Sequence, residues 1–359
     1  MRRFIVTLLL FFNAQYTLAD GYTAPWWLPG GDIQTIYTSQ LISPDAIQYR
    51  RERWELDDGD FLDLDWVDGA ADAPVVVLFH GLEGSSDSFY ARDLMAAVKQ
   101  RGWNGVVANF RGCSGEDNRL PRAYFGGDTA EIARILRHVA AAYPNNTRYA
   151  VGVSLGGNAL LKWLGDTGAD ASQLISRAAG ISAPLDLTAT GDALDNGFNR
   201  WVYTSRFLTT LKAKALRKAA AFPGLLDADA ISKASTFREF DTLVTARLHG
   251  YKDAADYWLK ASSKPGLKFI GIPTLVLNAK NDPFLPASAL PTVADVAPAV
   301  TLEEPETGGH VGFPTGPFPG NADWLPQHIL AFFTAPPAAI PTIAYPVLPP
   351  ATTTLTRVQ

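Results

Sequence analysis

The chain has little cysteine: Cys113 stands alone among 359 residues. One thiol forms no internal disulfide, and without a CxxC pair there is no zinc-finger ligand set. A disulfide scaffold and a structural zinc domain are therefore excluded. Excess basic charge is also missing. The 31 Lys and Arg are outnumbered by 36 Asp and Glu, for a formal net charge of −5. With no long basic run, a nucleic-acid partner held by phosphate neutralisation is not expected. Long apolar runs are absent as well. The one at Phe4–Phe12, interrupted by Thr7, falls well short of the roughly 20 residues that span a bilayer. Finally, neither a P-loop nor a dinucleotide fingerprint occurs, so no metal or organic cofactor is expected.

The two ends differ from the rest. Arg2 and Arg3 precede the Phe4–Phe12 run, and Thr17-Leu18-Ala19 offers small residues at −3 and −1 of a cleavage site. Residues 1–20 thus read as a leader with the layout of a secretory signal. An uncleaved interfacial anchor and a start placed too far upstream are the alternatives. A true signal implies export to the periplasm. Residues 335–359 hold six prolines and a threonine run without periodicity, and read as an extended tail.

Residues 21–334 read as one large α/β domain. Arg51–Leu56 and Phe61–Val67 flank Asp57-Asp58-Gly59, a hairpin turned by an Asp-Gly pair. Short apolar runs then alternate with helical periods. Val75–Phe79, Val106–Asn109, Tyr149–Val153, Ala178–Ser182, Thr274–Ala279 and Ala299–Glu303 read as strands. Helices are expected over Ser88–Arg101, Asp128–Ala142, Leu155–Leu164 and Ala322–Phe333. Repeated βα units give a mostly parallel sheet with helices on both faces. The alternation breaks at about 184–265, where only helical pieces such as Phe207–Ala221 and Phe237–Leu248 appear. That excursion reads as a helical cap over the C-terminal edge of the sheet, or as an enlarged crossover.

The strongest chemical signal is Gly152-Val153-Ser154-Leu155-Gly156, a G-x-S-x-G that follows a strand and opens a helix. This context presents a serine hydroxyl on a sharp turn at the sheet edge, with Gly152 and Gly156 leaving room around it. A serine hydroxyl needs a base to take its proton. Of five histidines, His310 in Gly308-Gly309-His310-Val311-Gly312 follows the last strand and reaches the correct edge. His138 falls in a helix and reads as a surface residue, His249 lies in the proposed cap, and His328 falls in the closing helix. The third member expected is Asp282, just past the penultimate strand. Asp186, the alternative acid, has the position of a helix cap. An oxyanion hole requires two aimed donors. Leu155 N–H supplies one, and Leu82 N–H, in the loop His80-Gly81-Leu82-Glu83-Gly84, the other. His80, Gly81 and Gly84 then shape that loop, and Glu83 supports it. Cys113 has no implied histidine partner and is not expected to be a nucleophile. Pro25-Trp26-Trp27-Leu28-Pro29 either packs an N-terminal arm on the core or contacts a lipid surface.

HGLEGSSDSFY, NFRGCSGEDNRLPRAYFGGDT, GVSLGGNALLKWLG and PWWLPGGDIQT resemble the YheT-like branch of the α/β-hydrolase superfamily. The resemblance runs from about Pro25 to the closing helix. It implies the α/β-hydrolase fold and cleavage of carboxylic esters, with short-chain, monoacylglycerol-like or phospholipid-like substrates, and carries the triad onto Ser154, Asp282 and His310. Without a true signal at the start of the chain, the resemblance implies the cytoplasm. Two positions depart from the family pattern: Asp32 replaces a frequent His, and Phe125 follows Tyr124 where Tyr-His is frequent. The expected chemistry is an acyl-enzyme on Ser154 resolved by water. Capture by an alcohol would make the same site an acyltransferase, and a scaffold used for binding is the non-enzymatic alternative.

Overall fold

The computed structural model describes residues 21–336. The leader at 1–20 and nearly all of the tail at 335–359 lie outside the described residues. Eight strands build one sheet: β1 (Arg50–Glu55), β2 (Phe61–Val67), β3 (Val75–Phe79), β4 (Asn104–Asn109), β5 (Arg148–Val153), β6 (Arg177–Ile181), β7 (Thr274–Leu277) and β8 (Val300–Glu303). Their order is β1-β2-β4-β3-β5-β6-β7-β8. The β1–β2 and β2–β4 pairs are antiparallel and every other pair is parallel. The sheet is thus the mostly parallel one expected. β3 is buried along its whole length, as a Val-rich run covered on both faces should be. β4 starts two residues before its apolar run. Asn104 extends the strand because its amide accepts from Gly69 N–H and donates to Ala70 C=O.

Helices α1 (Gly31–Leu41), α2 (Phe89–Gln100), α3 (Thr129–Ala142) and α4 (Leu155–Thr167) belong to the first part of the chain. The expected apolar stripe of α3 (Ile132, Ile135, Leu136, Val139) is buried, and Asp128 caps its start by accepting from Glu131 N–H. Between β6 and β7 the chain is entirely helical. It runs through α5 (Leu187–Leu194), α6 (Gly197–Asn199), α7 (Ser205–Ala221), α8 (Ala228–Lys233), α9 (Phe237–Phe240), α10 (Ala246–His249) and α11 (Ala254–Ala261), and α12 (Trp324–Thr334) closes the fold. Two π-turns, Arg200–Thr204 and Asp241–Thr245, join α6 to α7 and α9 to α10. The segment has its own apolar contacts, among them Leu208, Ile231, Phe240 and Val244. Asn158 of α4 ties its far end to the sheet. The Asn158 amide donates to Gly126 C=O and Ala261 C=O and accepts from Ser263 N–H, so a buried polar side chain is fully used.

Two local readings change. Trp27 packs edge-on against Tyr37 and Phe318, but Trp26 is 93% exposed. The turn closed by Leu28 N–H on Pro25 C=O sends Leu28 inward and Trp26 outward. His138, read as a surface residue, is half-buried: it stacks on Trp54 at 3.9 Å and bonds Glu52.

The hairpin is fastened by charge. Arg51 faces Asp65 and Arg53 faces Asp63 directly across the strands, each through a two-bond pair. Below them lies Arg111, whose guanidinium meets Asp58, Asp60 and Glu131 at 2.9, 2.8 and 2.6 Å with hardly any exposure. Removing one partner of a buried pair leaves the other charges uncompensated. Arg111→Met should therefore cost about 3–5 kcal/mol in urea-unfolding free energy at pH 7, and an unchanged unfolding midpoint would refute this account.

Candidate active site

Ser154 sits between β5 and α4 with φ 51° and ψ −120°. A non-glycine residue there stores roughly 1–2 kcal/mol of backbone strain. The turn is possible because its neighbours are glycines. A Cβ at Gly152 would lie 2.5 Å from Gly156 C=O, and one at Gly156 would lie 2.4 Å from His80 C=O. Those distances press the start of α4 against the loop that follows β3. Ser154 N–H donates to Ile181 C=O of β6, which fixes the turn from the other side.

Ser154, His310 and Asp282 come together although far apart in sequence. Ser154 Oγ lies 2.9 Å from His310 Nε2, and His310 Nδ1 lies 2.8 Å from Asp282 Oδ2. A carboxylate only accepts, so Nδ1 carries the proton and Nε2 is left to accept from the serine. Asp282 Oδ1 accepts from Phe284 N–H at 2.8 Å, and Asp282 and His310 are both buried. The Phe284 ring covers the imidazole at 4.1 Å. On the sheet side, Ser182 Oγ accepts from Val311 N–H. Asp186, the alternative acid, instead caps α5 by accepting from Thr188 and Ala189 N–H.

The loop after β3 is held by groups on both sides. His80 is completely buried; Nδ1 donates to Gly81 C=O and Nε2 accepts from Phe110 N–H. Desolvation pushes its pKa down to about 4, so it is a neutral strut and not a base. Two tyrosines take the alternate amides. Gly81 N–H donates to Tyr90 Oη and Glu83 N–H to Tyr124 Oη, each at 2.8 Å. Among the described residues, Leu82 N–H between them has no protein acceptor, and neither has Leu155 N–H. A Cβ on Gly81 would lie 3.1 Å from Ser154 Cβ, and one on Gly84 would meet Tyr90 Oη at 2.7 Å. Glu83, at φ 55°, accepts from Tyr124 Oη and from Lys214 Nζ of α7. Lys214 also lies 3.6 Å from the sulfur of Cys113. That thiol is buried, its pKa pushed up to about 11 by desolvation, which leaves it un-ionised and inert.

A cavity of about 200 Å³ opens beside Ser154 and His310. Phe207, Leu211, Phe237, Phe240, Val244 and Leu187 supply apolar wall from the helical segment. Farther along α7 the wall becomes basic, with Lys214, Arg217 and Lys218. Three acidic residues, Glu83, Asp117 and Asp241, also line the cavity; burial pushes the Asp241 carboxyl up to about 6, with Trp258 Nε1 and Thr245 Oγ1 as donors. His249 packs against Phe125 at 4.1 Å with the rings tilted by 30°, and its pKa is pushed by burial down to about 4, so it lines the cavity as a neutral ring. The sequence pointed to neither Tyr90 nor Phe284 nor Ser182. Tyr90 and Phe284 carried a signal in their place close after a site loop, whereas nothing local marked Ser182.

A family model for the alpha/beta hydrolase fold matches residues 74–317. The chain belongs to the α/β-hydrolase fold family, among its esterase- and lipase-type members. Within it the chain falls in the YheT-like branch, being 43% identical over 288 residues to YheT of Escherichia coli (strain K12), a protein assigned as an esterase, across 79% of this chain and 84% of that one. It is also 32% identical over 328 residues to phospholipase ABHD3 of Homo sapiens, across 89% of this chain and 80% of that one. Among solved structures, Pyrococcus furiosus esterase Pf2001 shares the fold with a TM-score of 0.51 at 14% identity, covering 81% of this chain and 97% of its own.

The neutrality of His80 has a consequence for stability. A histidine in the unfolded chain takes a proton below its ordinary pKa of about 6.5, whereas folded His80 resists protonation down to about 4. Acid therefore favours the unfolded chain. The contribution is fully present above pH 6.5 and is lost as pH falls towards 4, amounting to about 3 kcal/mol. His80→Asn, which cannot titrate, should lose less unfolding free energy than wild type between pH 7 and pH 4.5. Equal losses in urea titrations would contradict the assignment.

Proposed function

We propose that this protein is a serine hydrolase of carboxylic esters that works through an acyl-enzyme on Ser154. The observation that carries the reading is the continuous hydrogen-bonded chain from Ser154 Oγ through His310 to Asp282 beside an apolar cavity. Ser154 Oγ attacks the ester carbonyl carbon while His310 Nε2 takes the hydroxyl proton. Asp282 holds the ring orientation and stabilises the imidazolium that forms. The tetrahedral oxyanion is received by the N–H groups of Leu82 and Leu155, which are free of protein acceptors. Collapse expels the alcohol, which leaves with the proton from His310. Water, activated by the same imidazole, then releases the acid and restores Ser154.

The cavity wall supports a lipid-like ester. Apolar side chains suit an aliphatic acyl group, and the basic stretch of α7 suits a polar alcohol portion. Helices α5 to α11 act as a cap that shields the acyl-enzyme from bulk water, with α7 bound to the loop after β3 through the Lys214–Glu83 pair.

The test is a series of p-nitrophenyl esters from short to long acyl chains, alongside a glycerol monoester, on wild type and Ser154→Ala. Turnover in the variant should fall by at least about 10⁴-fold with unchanged folding. A fluorophosphonate should label wild type and leave the variant unmodified. Comparable turnover by folded Ser154→Ala would overturn the mechanism. A transfer product in the presence of a competing alcohol would show that the acyl group passes to acceptors other than water.

A further inference from the structure

Helix α1 is built inside out. Its buried residues are the polar Gln34, Thr35 and Thr38, while Ile33, Ile36 and Leu41 are exposed. A surface helix normally buries its apolar stripe, and burying polar groups is costly unless they are hydrogen-bonded. Packing energy does not explain this helix. The hydrogen bonds of Gln34 and Thr35 do, whereas Thr38 Oγ1 is buried without a partner among the described residues.

Thr35 Oγ1 donates to Gly31 C=O at 2.7 Å and accepts the backbone N–H of His310 at 2.8 Å. Gln34 Oε1 accepts two bonds at 2.9 Å, one from Gly308 N–H and one from the side-chain amide of Asn281, the residue before Asp282. Gln34 Nε2 is anchored on Leu28 C=O at 2.8 Å. Asn281 Oδ1 closes the ring by accepting from Gly309 N–H at 3.0 Å. One helix thus grips the loop of the base and the loop of the acid at the same time. The approach leaves no spare room. A Cβ on Gly31 would lie 1.7 Å from Asn281 C=O, one on Gly309 would lie 2.8 Å from Thr35 Oγ1, and one on Gly312 would lie 2.7 Å from Gln34 C=O.

From this we infer that Thr35 and Gln34 are positioning residues that set His310 and Asp282 at working distance from each other and from Ser154. The inference rests on the triad reading above. Helix α1 precedes residues 74–317, the stretch shared with the general fold, so the brace is an addition to that common scaffold, and Gln34 and Thr35 end the PWWLPGGDIQT string that resembles the YheT-like branch. Thr35 acts on the main chain of His310, and Gln34 acts through Gly308 and Asn281. Neither residue contacts the reacting atoms.

The test compares Thr35→Val, which keeps shape and removes the acceptor, with Thr35→Ser, which restores it, and with Gln34→Met. In proteins of equal folded fraction by circular dichroism, Thr35→Val and Gln34→Met should lower kcat for a p-nitrophenyl ester by about 10- to 100-fold. KM should stay within about twofold, since the cavity is untouched. Thr35→Ser should recover most of the rate. The downfield proton signal of the His310 Nδ1–H bond to Asp282 should shift or broaden in Thr35→Val and return in Thr35→Ser. A purely structural role for α1 would lower thermal stability while leaving kcat per folded molecule and the proton signal unchanged, and that result overturns the inference. If wild type turns over esters and takes up fluorophosphonate at Ser154 while Thr35→Val matches it, the positioning role alone fails. If wild type does neither, the triad reading and this inference fail together.

Discussion

Everything at the site depends on one close approach of backbone to backbone. The turn carrying Ser154 lies against the loop after β3 so tightly that Gly156 has no space for a Cβ beneath His80 C=O. That contact brings together two things a hydrolase needs in register, a strained hydroxyl and a free amide. Ser154 is held at positive φ at the end of β5, a strand buried from Tyr149 to Val153 and paired on both sides. Leu82 N–H is left open because Tyr90 and Tyr124 occupy the amides on either side of it. The rigidity is therefore supplied by the sheet, and the polarity by the loop.

The base and the acid are fixed differently. Neither sits on a strand; each belongs to a loop past the end of one, where long connections would otherwise leave positions loosely defined. Three supports remove that freedom. Ser182 holds Val311 from the sheet, Phe284 covers the imidazole, and Gln34 and Thr35 bind both loops from the N-terminal helix. Because those supports come from widely separated parts of the chain, the geometry of the site rests on long-range contacts of the complete fold.

This division explains what could be read from the sequence. Strands β3 and β5 and helix α3 were legible since burial on both faces, or on one face of a helix, writes itself as an apolar run or a 3.6-residue stripe. Ser154 was legible because its turn demands glycine at fixed offsets, and His310 and Asp282 were found by their order after later strands. Gln34 and Thr35 were not. A hydrogen bond that a threonine hydroxyl accepts from an amide 275 residues away leaves no local trace, and the apolar Ile33, Ile36 and Leu41 of α1 lie on its outer face. Trp26 misled for the opposite reason: an aromatic residue beside proline suggests packing, while the turn geometry decides which of two adjacent tryptophans faces the core.

Helix α7 connects the chemistry to the choice of substrate. From Phe207 to Lys218, about 16 Å of helix rise, its cavity-facing side changes from aromatic to cationic. Most of these cations already have acidic partners: Lys214 with Glu83 and Arg217 with Asp117. Lys218 instead donates to the carbonyls of Leu120 and Arg122, and desolvation is the main cause lowering its pKa. Under the proposed function, an amphiphilic ester suits this gradient better than a uniformly apolar one, because its polar end would return solvation to a lysine that the fold has partly dehydrated. The same helix holds the loop after β3 through Glu83, so displacing α7 would disturb the cavity wall and the loop bearing Leu82 together. The Lys214–Glu83 pair thus joins the cavity wall to the loop bearing Leu82.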